Sequence, residues 1–92
     1  MKYFLLFFLL SNFSYAQSVE NLVITCTACH GEKGISNNDL WPNLAGQKKG
    51  YLILQLKNYR SGTRPDPIMN PISLGLSDED IEKLADYYSR LK

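Results

Sequence analysis

A chain of 92 residues with 10 lysines and arginines against 9 aspartates and glutamates holds one domain at most and carries no electrostatic footprint for nucleic acid. Two cysteines exclude a multi-disulfide framework, and so short a chain has difficulty burying enough apolar surface by itself. Scaffolds of this size usually carry a staple; one Cys-x-x-Cys disulfide closes too small a loop to contribute much, so a bulky cofactor is expected to fill the core.

The chain opens with "MKYFLLFFLLSNFSYA", residues 1–16: one basic residue, an apolar run from Tyr3 to Leu10, and a polar stretch ending in the small residues Ser14 and Ala16. That order is the pattern of a secretory signal, with cleavage expected after Ala16 and a periplasmic mature protein. A spanning helix needs about 20 mainly apolar residues. Ser11, Asn12 and Ser14 interrupt this run earlier, so no stable membrane insertion is expected after cleavage. No cysteine follows the apolar run directly, which argues against a lipoprotein signal. The segment carries one lysine, Lys2, and no acid, so residues 17–92 hold nine basic and nine acidic side chains.

Residues 17–92 read as a single all-α domain, with no run of alternating β-branched residues to suggest a sheet. The first helix is expected over Ser18 to Ala28, with Ser18 as its cap and Leu22, Val23 and Ile24 as its apolar surface. A loop rich in breakers follows from Gly31 to Gly46. The second helix, Lys49 to Arg60, sets Leu52, Leu56 and Tyr59 at i, i+4 and i+7 and stops before Gly62, where a helix-ending glycine belongs. Pro65, Pro67 and Pro71 punctuate "TRPDPIMNPISLG", which is expected to be loop and not regular helix. A last helix opens at Ser77, with Asp80 three residues on as a shortened capping box. Its apolar face is Ile81, Leu84, Ala85, Tyr88 and Leu91.

Both cysteines and the only histidine of the chain fall within "TCTACHGEKG", as Cys26, Cys29 and His30. On a helical turn i, i+3 and i+4 share a face, so all three can address one object. Two thiols at this spacing reach the two vinyl groups of one haem as thioethers, and the adjacent imidazole becomes an axial ligand; Cys-x-x-Cys-His is the c-type haem attachment signature. A thioredoxin-like pair would sit by a βαβ pattern, which is missing. A structural zinc site needs a fourth good ligand, and only carboxylates remain. Covalent haem also agrees with export, and it supplies the core filler. With no second histidine, the other axial position falls to Met69, the only methionine of residues 17–92; a neutral thioether suits haem in electron carriers. An open or water-filled position, Lys48, Lys49 or a tyrosine are the alternatives.

These residues resemble the class I c-type cytochromes, and among them the single-haem domains of the cytochrome c4 and c553 kind. The resemblance is carried by "CTACHGEKG", "PNLAGQ" (42–47), "YLILQLKNYRSGTR" (51–64), "DPIMNPI" (66–72) and "LSDEDIEKLADYYS" (76–89), nearly the whole of residues 17–92. It implies a small all-α class I cytochrome c fold, three to four helices around one covalently bound haem c with its iron, the terminal helices crossing, His30 proximal and Met69 distal. It also implies that the Pro42 carbonyl accepts a hydrogen bond from His30 Nδ1, which would orient the ring. Cytochrome c4 carries two such domains; this chain has one, so a single-haem carrier is expected.

Other residues of the expected haem pocket carry less specific signals. Trp41 suits either a packed aromatic or an indole donor to a haem propionate. Arg64, and less so Arg60, suits a propionate partner. Tyr51, Leu52, Leu56 and Tyr59 at helical spacing suit pocket walls. The expected activity is outer-sphere, one-electron transfer between redox partner proteins, such as a cytochrome complex, a terminal oxidase or a dehydrogenase, with no catalytic residue. The alternatives are a haem c subunit of a periplasmic dehydrogenase complex, and a gas-binding sensor if Met69 is displaceable.

Overall fold

The computed structural model describes residues 17–92, so the secretory-signal reading of residues 1–16 lies outside the described residues. Among the described residues four helices make the fold, and no strand occurs. The first, α1 (Val19–His30), starts after Ser18. The Ser18 backbone carbonyl accepts from Asn21 and Leu22 N–H at 3.1 and 3.2 Å, but its hydroxyl makes no capping bond, against expectation. The helix also runs past Ala28 to His30, because nothing before Gly31 breaks it. Gly31 does, at φ +89°; a Cβ there would collide with the Ile35 carbonyl oxygen, so glycine alone fits the turn.

Helix α2 (Lys49–Ser61) stops as expected at Gly62, which adopts the left-handed conformation and returns its N–H to the Tyr59 carbonyl at 3.3 Å. Within the stretch expected to be loop lies α3 (Met69–Leu74), a correction to the sequence reading. Pro71 is its third residue, and the first turn of a helix leaves its N–H groups without intrahelical partners in any case. The missing donor therefore breaks no bond. Helix α4 (Asp78–Arg90) opens with the expected reciprocal box: Asp80 N–H donates to Ser77 Oγ and Ser77 N–H to Asp80 Oδ2, each at 3.0 Å. Three acidic residues in its first turn face the positive end of the helix dipole.

Helix α4 packs against both α1 and α2, and α3 packs on α2. The core is Leu22 from α1, Leu52 from α2, and Leu84, Ala85 and Tyr88 from α4. Ile81, on the same face of α4, is wholly buried. Full burial stabilises each large apolar side chain by about 1.5–3 kcal/mol. Ile24 does not join them: it is 65 % exposed. Two helical positions beyond Leu22 it has turned about 200° away from the core. At the rim, Lys49 pairs with Glu82 at 2.9 Å and Arg60 with Asp78, which fastens both ends of α2 to α4. Arg60 also donates to the Leu76 carbonyl at 3.0 Å and is thereby committed to structure. No helix of the described residues is long and apolar enough to cross a membrane.

Candidate functional site

Residues of all four helices surround a cavity of about 330 Å³. That is within the size range of small-molecule and cofactor pockets. The C-terminal half of α1 brings Cys26, Cys29 and His30 to its wall; α2 adds Tyr51, Leu52, Leu56 and Tyr59; α3 brings Met69. Trp41, Pro42 and Arg64 come from the loops. These residues therefore border one hollow, although segments as far apart as 26–30 and 69 supply them; Arg60, Lys48 and Lys49, also named from the sequence, do not.

His30 is buried, and its Nδ1–H donates to the Pro42 carbonyl at 2.8 Å. A carbonyl can only accept, so Nδ1 carries a proton, and in the neutral imidazole this leaves Nε2 with the free lone pair. The loop that delivers Pro42 is held by Gly34, whose carbonyl accepts from Leu44 and Ala45 N–H at 2.8 and 3.0 Å. Gly34 is buried at φ +74°, with Ala45 N and the Tyr88 ring 3.0 and 3.1 Å from where a Cβ would stand. Sequence reasoning gave Gly34 no role; the second glycine of "HGEKG" was the available signal.

Cys26 and Cys29 are both free thiols, half-buried. Burial pushes the Cys26 thiol above its ordinary range, with Tyr88 beside it. The Tyr88 phenol is raised for the same reason. A half-buried thiol raised by desolvation is unlike the low-pKa nucleophile of a redox pair. Among the described residues no three His, Cys, Asp or Glu side chains gather to hold one metal ion. The motif thus presents an extended set of donors to the cavity and not a zinc-type nest. Two separate thiols, an imidazole with a bare nitrogen, a thioether from another segment and apolar walls fit one large, flat iron-bearing group.

At the mouth, Arg64 donates to Gln55 Oε1 at 2.7 Å and lies 4.6 Å over the Tyr59 ring. This holds its charge at the cavity edge by a cation–π contact. Tyr51 lines the cavity yet is 48 % exposed, so it forms rim as much as wall. The Asp66 carboxyl is held below the usual carboxylate range by the backbone N–H groups of Met69 and Ile68. Neither Asp66 nor Asn70 was singled out individually in the sequence, although "DPIMN" places both beside Met69.

The chain matches the family model for cytochrome c over residues 16–92. It is 44 % identical over 77 residues to cytochrome c-554(548) of Halomonas halodenitrificans, covering 80 % of this chain and 93 % of that protein. It is 36 % identical to the thiosulfate dehydrogenase electron acceptor of Stutzerimonas stutzeri, over 78 % of this chain but only 35 % of that protein. Among solved structures, cytochrome c4 of Acidithiobacillus ferrooxidans superposes with a TM-score of 0.72 at 32 % identity, covering 88 % of this chain and 53 % of that one. The chain belongs to the cytochrome c family: it has the all-α class I fold and is an electron carrier built around covalently held haem c and its iron.

Proposed function

We propose that this protein is a periplasmic single-haem carrier in which Cys26 and Cys29 hold the haem as thioethers and His30 Nε2 and Met69 Sδ are the axial ligands. The observation that carries the reading is the His30–Pro42 hydrogen bond. It frees Nε2 on the same cavity wall as the two thiols, within a cavity that Met69 also borders. When bound, the haem supplies one-electron cycling of its iron between two oxidation states.

The chain's own residues set the conditions for that cycling. Pro42 fixes the imidazole orientation and raises its donor strength. Met69 offers a soft neutral donor, which favours the reduced state relative to a second imidazole. Leu52, Leu56 and Tyr59 keep water from the pocket, and a low-dielectric surrounding disfavours extra positive charge. Trp41 and Arg64 border the cavity and would donate to the propionates, and Tyr51 would form the pocket rim. Export to the periplasm with cleavage after Ala16 is supported by the order of residues 1–16.

The deciding experiment is the oxidised and reduced visible spectrum of the exported protein beside that of the Cys26→Ala/Cys29→Ala variant, with the mass of the mature chain. The expected result is a c-type spectrum in the parent, almost complete loss of covalent haem in the variant, and an N-terminus at Gln17. Equal yields of normal haem protein from the variant would reject the attachment. A second reading is favoured by the similarity to a thiosulfate dehydrogenase electron acceptor: a haem subunit held permanently by a dehydrogenase. Copurification and the gel-filtration mass separate this from a free carrier.

A further inference from the structure

We infer that Asn70 is the positioning residue of the methionine arm: its carboxamide ties the turn carrying Met69 to the end of α2 and so holds the Met69 sulfur at the iron. The inference rests on Met69 being the distal ligand, as proposed above.

One side chain here makes three hydrogen bonds. Asn70 Nδ2 donates to the Tyr59 carbonyl at 2.7 Å and to the Arg64 carbonyl at 2.9 Å, while Oδ1 accepts from Asp66 N–H at 2.6 Å. Carbonyls only accept and an N–H only donates, so a single amide orientation satisfies all three. The Tyr59 carbonyl lies in the last turn of α2 and already accepts from Gly62 N–H, so Asn70 takes its second lone pair. Arg64 and Asp66 belong to the irregular link before α3. Asn70 therefore gathers three points of backbone beside Met69.

From the other side Asp66 closes the bracket. Its Oδ1 accepts from Ile68 and Met69 N–H at 2.9 and 2.8 Å, and its carbonyl accepts from Asn70 N–H at 3.1 Å. Helix α3 has only six residues, too few to hold its own shape in water. The wall residues Leu52, Leu56 and Tyr59 all ride on α2. The bond from Asn70 to Tyr59 is thus a direct polar tie between the methionine turn and the wall it must face. Asn70 is only half-buried, so water can replace its bonds when it is removed. The fold then survives, while the arm gains freedom and Met69 yields more easily to a competing ligand.

The test titrates the oxidised haem-loaded protein with imidazole and follows the sulfur-to-iron charge-transfer band, in the parent and in Asn70→Ala, Asn70→Asp, Leu74→Ala and Met69→Ala. Asn70→Asp keeps the size and the acceptor for Asp66 but turns a carboxylate toward two carbonyls. Leu74, 70 % exposed on the same short helix, is the control. Imidazole affinity should rise at least about tenfold in Asn70→Ala and further in Asn70→Asp, as lost hydrogen bonds of ordinary strength require. Leu74→Ala should behave as the parent. A charge-transfer band that persists in Met69→Ala would overturn the ligand assignment itself. A band lost in Met69→Ala, with both Asn70 variants binding imidazole like the parent, would overturn only the role of Asn70. That role also falls if neither Asn70 variant can be loaded with haem, or if Leu74→Ala loosens the arm equally.

Discussion

The crossing of α1 with α4 and the methionine arm, the link at 63–68 with α3, are held together by different forces. In the crossing, Leu22, Leu84, Ala85 and Tyr88 are almost free of solvent, and the contact is apolar packing set by one continuous stripe on α4. In the arm, Ile68 and Leu74 remain 45 % and 70 % exposed, and the backbone is instead fastened by Asp66 and Asn70. A packed stripe loses stability with every methylene removed from it. A hydrogen-bonded turn holds direction. The contrast assigns stability to the crossing and, on the proposed ligation, the direction of Met69 to the arm.

The harshest way to break this division is Leu22→Ala, which removes a 7 % exposed side chain from the crossing and leaves the cavity lining untouched. It should cost about 2–5 kcal/mol, read by denaturant unfolding of the haem-loaded protein, with the charge-transfer band and potential of the surviving folded fraction unchanged. A shifted potential would mean that the two regions are not separate.

Met69→Ala should do the reverse. Its half-buried side chain should cost less than about 2 kcal/mol. The charge-transfer band should vanish, the reduced protein should bind carbon monoxide, and the potential should fall as water or hydroxide replaces sulfur. An unchanged band, potential and gas reactivity would leave Met69 a packing residue and move the search to Lys48, Lys49 and the tyrosines.

A milder test uses pH. Arg60 holds the Asp78 carboxyl below its ordinary range. A depressed carboxylate contributes stability fully above its unfolded value, about pH 4, and loses it as pH falls through the folded value. The Arg60–Asp78 coupling in a double-mutant cycle should therefore be present at neutral pH, absent in strong acid, and small throughout because Asp78 is exposed. It should leave the charge-transfer band untouched.

The smallest effect is expected at Ser73, wholly buried on α3, whose hydroxyl has no hydrogen-bond partner among the described residues. Ser73→Ala should be neutral or stabilising by up to about 1 kcal/mol in the same unfolding measurement. Marked destabilisation would show that the hydroxyl is satisfied and that the arm has another polar tie.

How much of this was legible beforehand depends on the reach of each signal. Sequence alone determined the attachment motif, since i, i+3 and i+4 on one helix place Cys26, Cys29 and His30 together without help from the rest of the chain. It also determined both ends of the Ser77 box and the stop at Gly62, because caps and left-handed glycines are settled within four residues. The stripe of α4 was legible for the same reason. Tertiary structure decided the rest. Ile24 and Leu22 look alike as residues, and only the direction of approach of α4 buries one and exposes the other. Pro71 forbade a helix by propensity, yet its place in the first turn of α3 made the prohibition empty. The role of Asn70 depended on the carbonyl of Tyr59, 11 positions earlier in the chain. Such a bond exists only once the chain has turned back on itself, and no local spacing encodes it.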